Sequence, residues 1–129
     1  MMREVILTQK QLEERLSFWQ EKLRLRDWYI TVSKGRTKVV GEKATGCVHA
    51  VHSNKQAHIL ILHEEDYVNM EESDIWVQDM ESILVHELLH LHTRLINKRN
   101  DEDADGYCMF EEQAIESITS ALITLARGQ

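Results

Sequence analysis

His86-Glu87-Leu88-Leu89-His90 is the stretch whose residue types and spacing could do chemistry. In a helix, residues four apart share one face, one turn apart. His86 and His90 can therefore offer two imidazole nitrogens to one ion, each at about 2.0–2.1 Å. Glu87 follows the first histidine and can face a water on that ion. A His-Glu-x-x-His run on a helix is a signature of zinc hydrolases that use the glutamate as general base. The flanking residues Ile83, Leu84, Val85, Leu88, Leu89 and Leu91 are apolar. Three ionisable side chains thus sit on a helix otherwise built for burial, where a charge needs a partner.

Two ligands are too few, because catalytic zinc usually takes three from the protein and keeps one position open. The segment Leu91-His92-Thr93-Arg94-Leu95-Ile96 lacks the glycine and third histidine of the longer HExxHxxGxxH pattern. His92 is two residues past His90 and points elsewhere. The third ligand is expected from another helix, and the C-terminal segment offers Glu111, Glu112 and Glu116. At about 100° per residue, Ala114, Ile115, Ile118, Ala121, Leu122 and Leu125 cluster around one direction. Glu111 falls near the middle of that arc, Glu112 at its edge and Glu116 beyond it. A carboxylate centred on a buried stripe needs something to pair with. Glu111 is therefore the expected third ligand and Glu112 its main rival. Glu116 is either an outer acceptor for a histidine N–H or a solvated residue. Zinc suits these ligands, and nickel, cobalt or iron could occupy the same set.

Several elements must hold these residues. Thr8-Gln9-Lys10-Gln11 reads as a capping box opening a helix to about Leu25, with Leu12, Leu16, Trp19 and Leu23 on its apolar face. Trp28–Val32 reads as a strand, Gly46–His52 as a second with one wet face, and Ala57–Leu62 as a central third, the last two forming a hairpin. An acidic connection from Glu64 to Asp74 leads into a long helix from Ser73 or Asp74 to about Asn97. A polar loop and a last helix, from about Cys108 to Ala126, complete an α+β order with helices on one face of a small sheet.

With 129 residues the chain suits one domain. A formal net charge of -7 argues against nucleic acid as main partner. No apolar run is long enough to span a bilayer, and the N-terminus lacks a signal-peptide core. A cytoplasmic protein is expected, with Cys47 and Cys108 as reduced, small buried residues. Lys22, Arg24, Arg26, Lys34, Arg36 and Lys38 read as a solvated face. The acidic runs read as charge favourable to a helix N-terminus. His49, His52, His58 and His63 read as surface-facing strand positions rather than a second metal site.

On Leu84–His92 and Glu111–Ile115 the chain resembles the zincins, in the gluzincin arrangement with HExxH on one helix and a glutamate on the next. It looks most like the small single-domain metallopeptidases of bacterial and phage genomes, distantly similar to ImmA/IrrE and SprT-like proteins. The SprT-like type usually takes a histidine as third ligand; none follows His92, which favours the glutamate version. The resemblance implies a minimal zincin-like fold over residues 1–129: an N-terminal helix, a small, mostly antiparallel three-stranded sheet, an active-site helix and a C-terminal ligand helix. It also implies Zn2+ and hydrolysis of peptide bonds in a protein or peptide substrate. Glu87 would take a proton from a metal-activated water and pass it to the leaving amine. Tyr107 and His92 are candidate oxyanion donors by proximity in sequence, and the strand around Val48–Val51 a candidate edge for substrate. The competing expectations are a zinc-bearing regulatory or protein-binding module without proteolysis, and another zinc hydrolase such as an amidase.

Overall fold

The computed structural model describes residues 4–40, 44–69, 78–97 and 104–128, excepting the side chains of residues 68–69, 94–97 and 104–108. Its elements run α1 (Gln9–Lys22), β1 (Tyr29–Gly35), α2 (Thr37–Val40), β2 (Gly46–Val51), β3 (Gln56–Leu62), a 3-10 segment (Glu64–Asn69), α3 (Met80–Asn97) and α4 (Ala104–Ala126). The architecture is α+β, as the sequence order implies.

Local chemistry sets α1. The Gln11 N–H donates to Thr8 Oγ1 at 3.2 Å and the Thr8 N–H to Gln11 Oε1 at 2.9 Å, so the capping box forms. Leu12, Leu16 and Trp19 are buried. The helix stops two residues before Leu25, at Leu23, because Arg24 turns left-handed with φ 62°. His92 Nε2 donates to the Leu23 carbonyl at 2.7 Å, so α3 satisfies an orphan acceptor at the end of α1.

The sheet order is β1-β3-β2. β2 and β3 form the expected antiparallel hairpin, with Cys47 opposite Leu60 and His49 opposite His58. β1 runs parallel to β3, Ile30 opposite Ala57 and Val32 opposite Ile59. The sheet is therefore mixed rather than mostly antiparallel. The chain leaves β1 through α2 and β2 before returning beside it, and such a crossover brings the strands together in parallel.

The two sheet faces are both covered, which departs from the one-sided expectation. Ile30, Val32, Val48, Ala57, Ile59 and Ile61 join the main core with α1, α3 and α4. Leu60 and Leu62 face the other way and meet Val40 of α2. Gly35 permits that fold-back, since a Cβ there would stand 2.9 Å from Val40 Cγ2. Lys34 Nζ pairs with Glu64 at 2.8 Å, and Arg36 Nη2 with Asp66 Oδ1 at 2.9 Å. The acidic run is thus partly a set of ion-pair partners for the basic residues at the end of β1.

α3 begins at Met80, later than the expected Ser73 or Asp74, which lie outside the described residues. Asp79 Oδ1 accepts from the N–H groups of Glu81 and Ser82, both at 3.1 Å, and so caps the helix. The backbone of Asp79 is also held in a parallel bridge with Val5. Met80, Leu84, Val85 and Leu88 are fully buried. α4 packs on α3 and starts at Ala104, one turn before the expected Cys108. Among the described residues no helix is long and apolar enough to cross a membrane.

Candidate metal centre

The apolar residues of α3 bury it between the sheet, α1 and α4, and the turn from His86 to His90 faces α4. The two imidazoles stand with centroids 5.1 Å apart. His86 Nε2 lies 2.9 Å from Glu112 Oε2, and His90 Nε2 lies 3.0 Å from Glu112 Oε1. Both imidazoles thus aim the same nitrogen at one carboxylate.

Two further carboxylates stand behind the rings. Glu116 Oε1 is 2.6 Å from His86 Nδ1, and Glu111 Oε1 is 3.2 Å from His90 Nδ1. The other oxygen of Glu111 accepts from Thr93 Oγ1. Exposure separates the three: the Glu111 side chain is 9% exposed, Glu112 51% and Glu116 71%.

His86, His90 and Glu112 form a group that could hold a metal ion, with one donor atom from each lying within 4.8 Å of the others. Around a tetrahedral ion with bonds near 2.0–2.1 Å, donor atoms stand about 3.3 Å apart. The nitrogen–oxygen distances of 2.9 and 3.0 Å need open only slightly to reach that. Two imidazoles and a carboxylate are an ordinary donor set for zinc and leave a fourth position open. The metal's identity is not fixed by this geometry, because other first-row ions take the same donors.

Among the described residues, the group that could hold an ion contains Glu112, the rival, and not Glu111. The apolar arc of α4 explains the difference. Ile115, Thr119 and Ile123 are buried against α3, whereas Phe110, Ile118 and Leu125 are exposed. Apolar residues occupy two adjacent faces of α4, and only one of them packs. Glu111 is half-buried, and its place is at the back of a ring. Glu112 sits at the edge of the packed row, where it reaches both Nε2 atoms and still meets solvent.

Glu87 is buried, at 6% exposure. It approaches the start of β2, where a Cβ built on Gly46 would stand 3.4 Å from Glu87 Oε1 and 2.6 Å from Ile83 Cγ2. The contact between β2 and α3 therefore needs glycine at position 46. Sequence reasoning missed Gly46 and Thr93. Thr93 was findable, since it lies three residues beyond His90 and so on the same helix face.

The remaining sequence candidates fall elsewhere. His92 is committed to the end of α1. The side chains of Tyr107 and Cys108 lie outside the described residues. His58 sits between the hydroxyls of Thr31 and Ser33, at 2.5 and 3.1 Å. His49 is 3.8 Å from Cys47 Sγ, His52 packs edge-on to Trp28, and His63 lies 3.3 Å from Glu64.

No protein-family model matches this chain, and no curated protein or solved structure matches it.

Proposed function

We propose that this chain is a zinc-dependent metallopeptidase of gluzincin type, acting on a peptide or protein. The observation that carries the reading is the convergence of His86 Nε2 and His90 Nε2 on Glu112, with Glu87 buried beside the first histidine. A bound divalent ion would supply Lewis acidity and lower the pKa of a water toward about 7.

The chain's own residues do the rest. His86, His90 and Glu112 hold the ion. Glu87 takes the proton of the attacking water on its carboxylate and delivers it to the leaving nitrogen. Burial keeps that carboxylate out of bulk solvent, so its proton is exchanged with the reacting groups rather than with water.

Metal content and cleavage test this together. Wild type should carry about one zinc per chain, and His86→Ala, His90→Ala and Glu112→Gln should lose it. Glu87→Gln should retain zinc while cleavage of a peptide library falls by about 10²–10⁴. Retention of zinc by all three ligand variants would sink the reading.

A second reading, a zinc-bearing binding module, is favoured by one observation. Phe110, Ile118 and Leu125 of α4 are 65%, 46% and 76% exposed, and exposed apolar side chains can mark a partner surface. Equal inactivity of wild type and Glu87→Gln across the library, with zinc retained in both, would favour it.

A further inference from the structure

The two histidines are backed unequally. Behind His86 stands Glu116, on the solvent side of α4 and 71% exposed. Behind His90 stands Glu111, whose side chain is 9% exposed and whose Oε2 is held by a hydrogen bond. Its Oε2 accepts from Thr93, and its Oε1 faces His90 Nδ1 at 3.2 Å. Thr93 and His90 share one face of α3, so the tether and the ring it serves are fixed on the same rigid element. An exposed carboxylate is screened by water and free to leave its rotamer. A largely covered, tethered one is less so, and a carboxylate behind a ligating histidine fixes ring orientation and raises ligand basicity.

We propose that Glu111, fixed by Thr93, is the positioning residue of the metal centre, orienting His90 toward the ion, and that Glu116 contributes little. This rests on the reading that His86, His90 and Glu112 hold zinc. The chain Thr93–Glu111–His90 assigns a task to a threonine that touches neither ion nor substrate. It also gives the least exposed of the three α4 carboxylates a role other than ligand.

Zinc affinity, measured by chelator competition on the full chain, separates the possibilities. Glu111→Gln and Thr93→Val should each weaken zinc binding, the former by about 10- to 100-fold. Thr93→Ser, which keeps the hydroxyl, should restore wild-type affinity. Glu116→Gln should change it less than about threefold. The visible absorption of the cobalt-substituted protein should change shape in Glu111→Gln and not in Glu116→Gln. Thermal midpoints of the metal-free variants show whether the fold survives, and Thr93→Val alone carries the test if Glu111→Gln does not fold.

Wild-type affinity in Glu111→Gln or in Thr93→Val, beside loss in His86→Ala, overturns this proposal alone. So does an equal loss in Glu116→Gln. Abolished binding in Glu111→Gln with retention in Glu112→Gln makes Glu111 the ligand itself and also overturns it. Full binding in both His86→Ala and Glu112→Gln overturns the metal centre, and this proposal with it.

Discussion

Arg127, just past the end of α4, closes on Asp79, the residue that caps α3. Nη1 lies 2.7 Å from Oδ2 and Nη2 3.1 Å from Oδ1, a two-point contact between planar groups. The same guanidinium reaches Glu81 at 3.3 Å, and Glu81 also receives Arg15 and the Trp19 indole N–H. α3 and α4 are therefore pinned at one end by this network and meet at the other through the histidines and Glu112. The pin fixes how far α4 can slide along α3, and hence where Glu112 stands.

Replacing Arg127 should test that register. Arg127→Ala leaves Asp79 and Glu81 without a cation they now share, in a partly buried setting. The expected loss is about 2 kcal/mol of unfolding free energy, below the roughly 3–5 kcal/mol of a fully buried pair because these groups keep some contact with solvent. Urea denaturation measures it. Zinc affinity should fall as well, although the substitution is far along α4 from Glu112. Unchanged affinity would show that α4 is positioned by the centre rather than by the pin.

Gly46→Ala should be costly for a different reason. The added methyl would stand 2.6 Å from Ile83 Cγ2, so β2 and α3 must separate. Overpacking of this kind costs about 1–3 kcal/mol. Because Glu87 lies at the same contact, peptide cleavage should fall more than zinc binding does. The double variant Gly46→Ala/Ile83→Ala should recover part of the stability, a coupling that denaturation of the four proteins reads directly.

Thr119 offers a gain. It is 3% exposed on the packed face of α4, and its hydroxyl has no hydrogen-bond partner among the described residues. Thr119→Val keeps the branched shape and removes the stranded polar group. Stability should rise by about 1 kcal/mol, whereas Thr119→Ser, which keeps the hydroxyl and loses the methyl, should lower it. A chemical-denaturation series on the three proteins decides.

Two groups shape the pH dependence of stability, with opposite limbs. Burial first, then the nearby negative charges of Glu64, Glu4 and Asp79, push the Tyr67 phenol up to about 12. A phenol raised in the fold stabilises fully below its unfolded value near 10, and that contribution is lost as pH climbs toward 12. Arg36, helped by the Thr37 N–H, holds the Asp66 carboxyl well below the usual range. Its contribution is present above about pH 4 and lost as pH falls below that through the folded value. Thermal midpoints across pH should show a shallower alkaline decline in Tyr67→Phe and a shallower acid decline in Asp66→Asn. Parallel curves would contradict the assignment.

Much of this was legible in the sequence where short-range chemistry decides. The Thr8/Gln11 box and the β2–β3 hairpin involve neighbours in the chain, and both form as read. The pairing of β1 with β3 joins Tyr29 to Gln56 across a crossover, and no local pattern distinguishes parallel from antiparallel there. The site followed the same division. Spacing alone placed His86 and His90 together. The choice between Glu111 and Glu112 depended on which of two apolar faces of α4 meets α3, a tertiary fact. Glu111 is mostly covered, as its place on the arc suggested, while the group that could hold an ion takes in Glu112, a side chain that solvent reaches.

The residues that could hold an ion, and those behind them, all lie between His86 and Glu116, within one pair of consecutive helices. Glu87 is different, since its surroundings depend on β2 and so on a sheet assembled from distant parts of the chain. On the proposed reading, gripping an ion would rest on two consecutive helices, whereas using the ion would need the sheet as well.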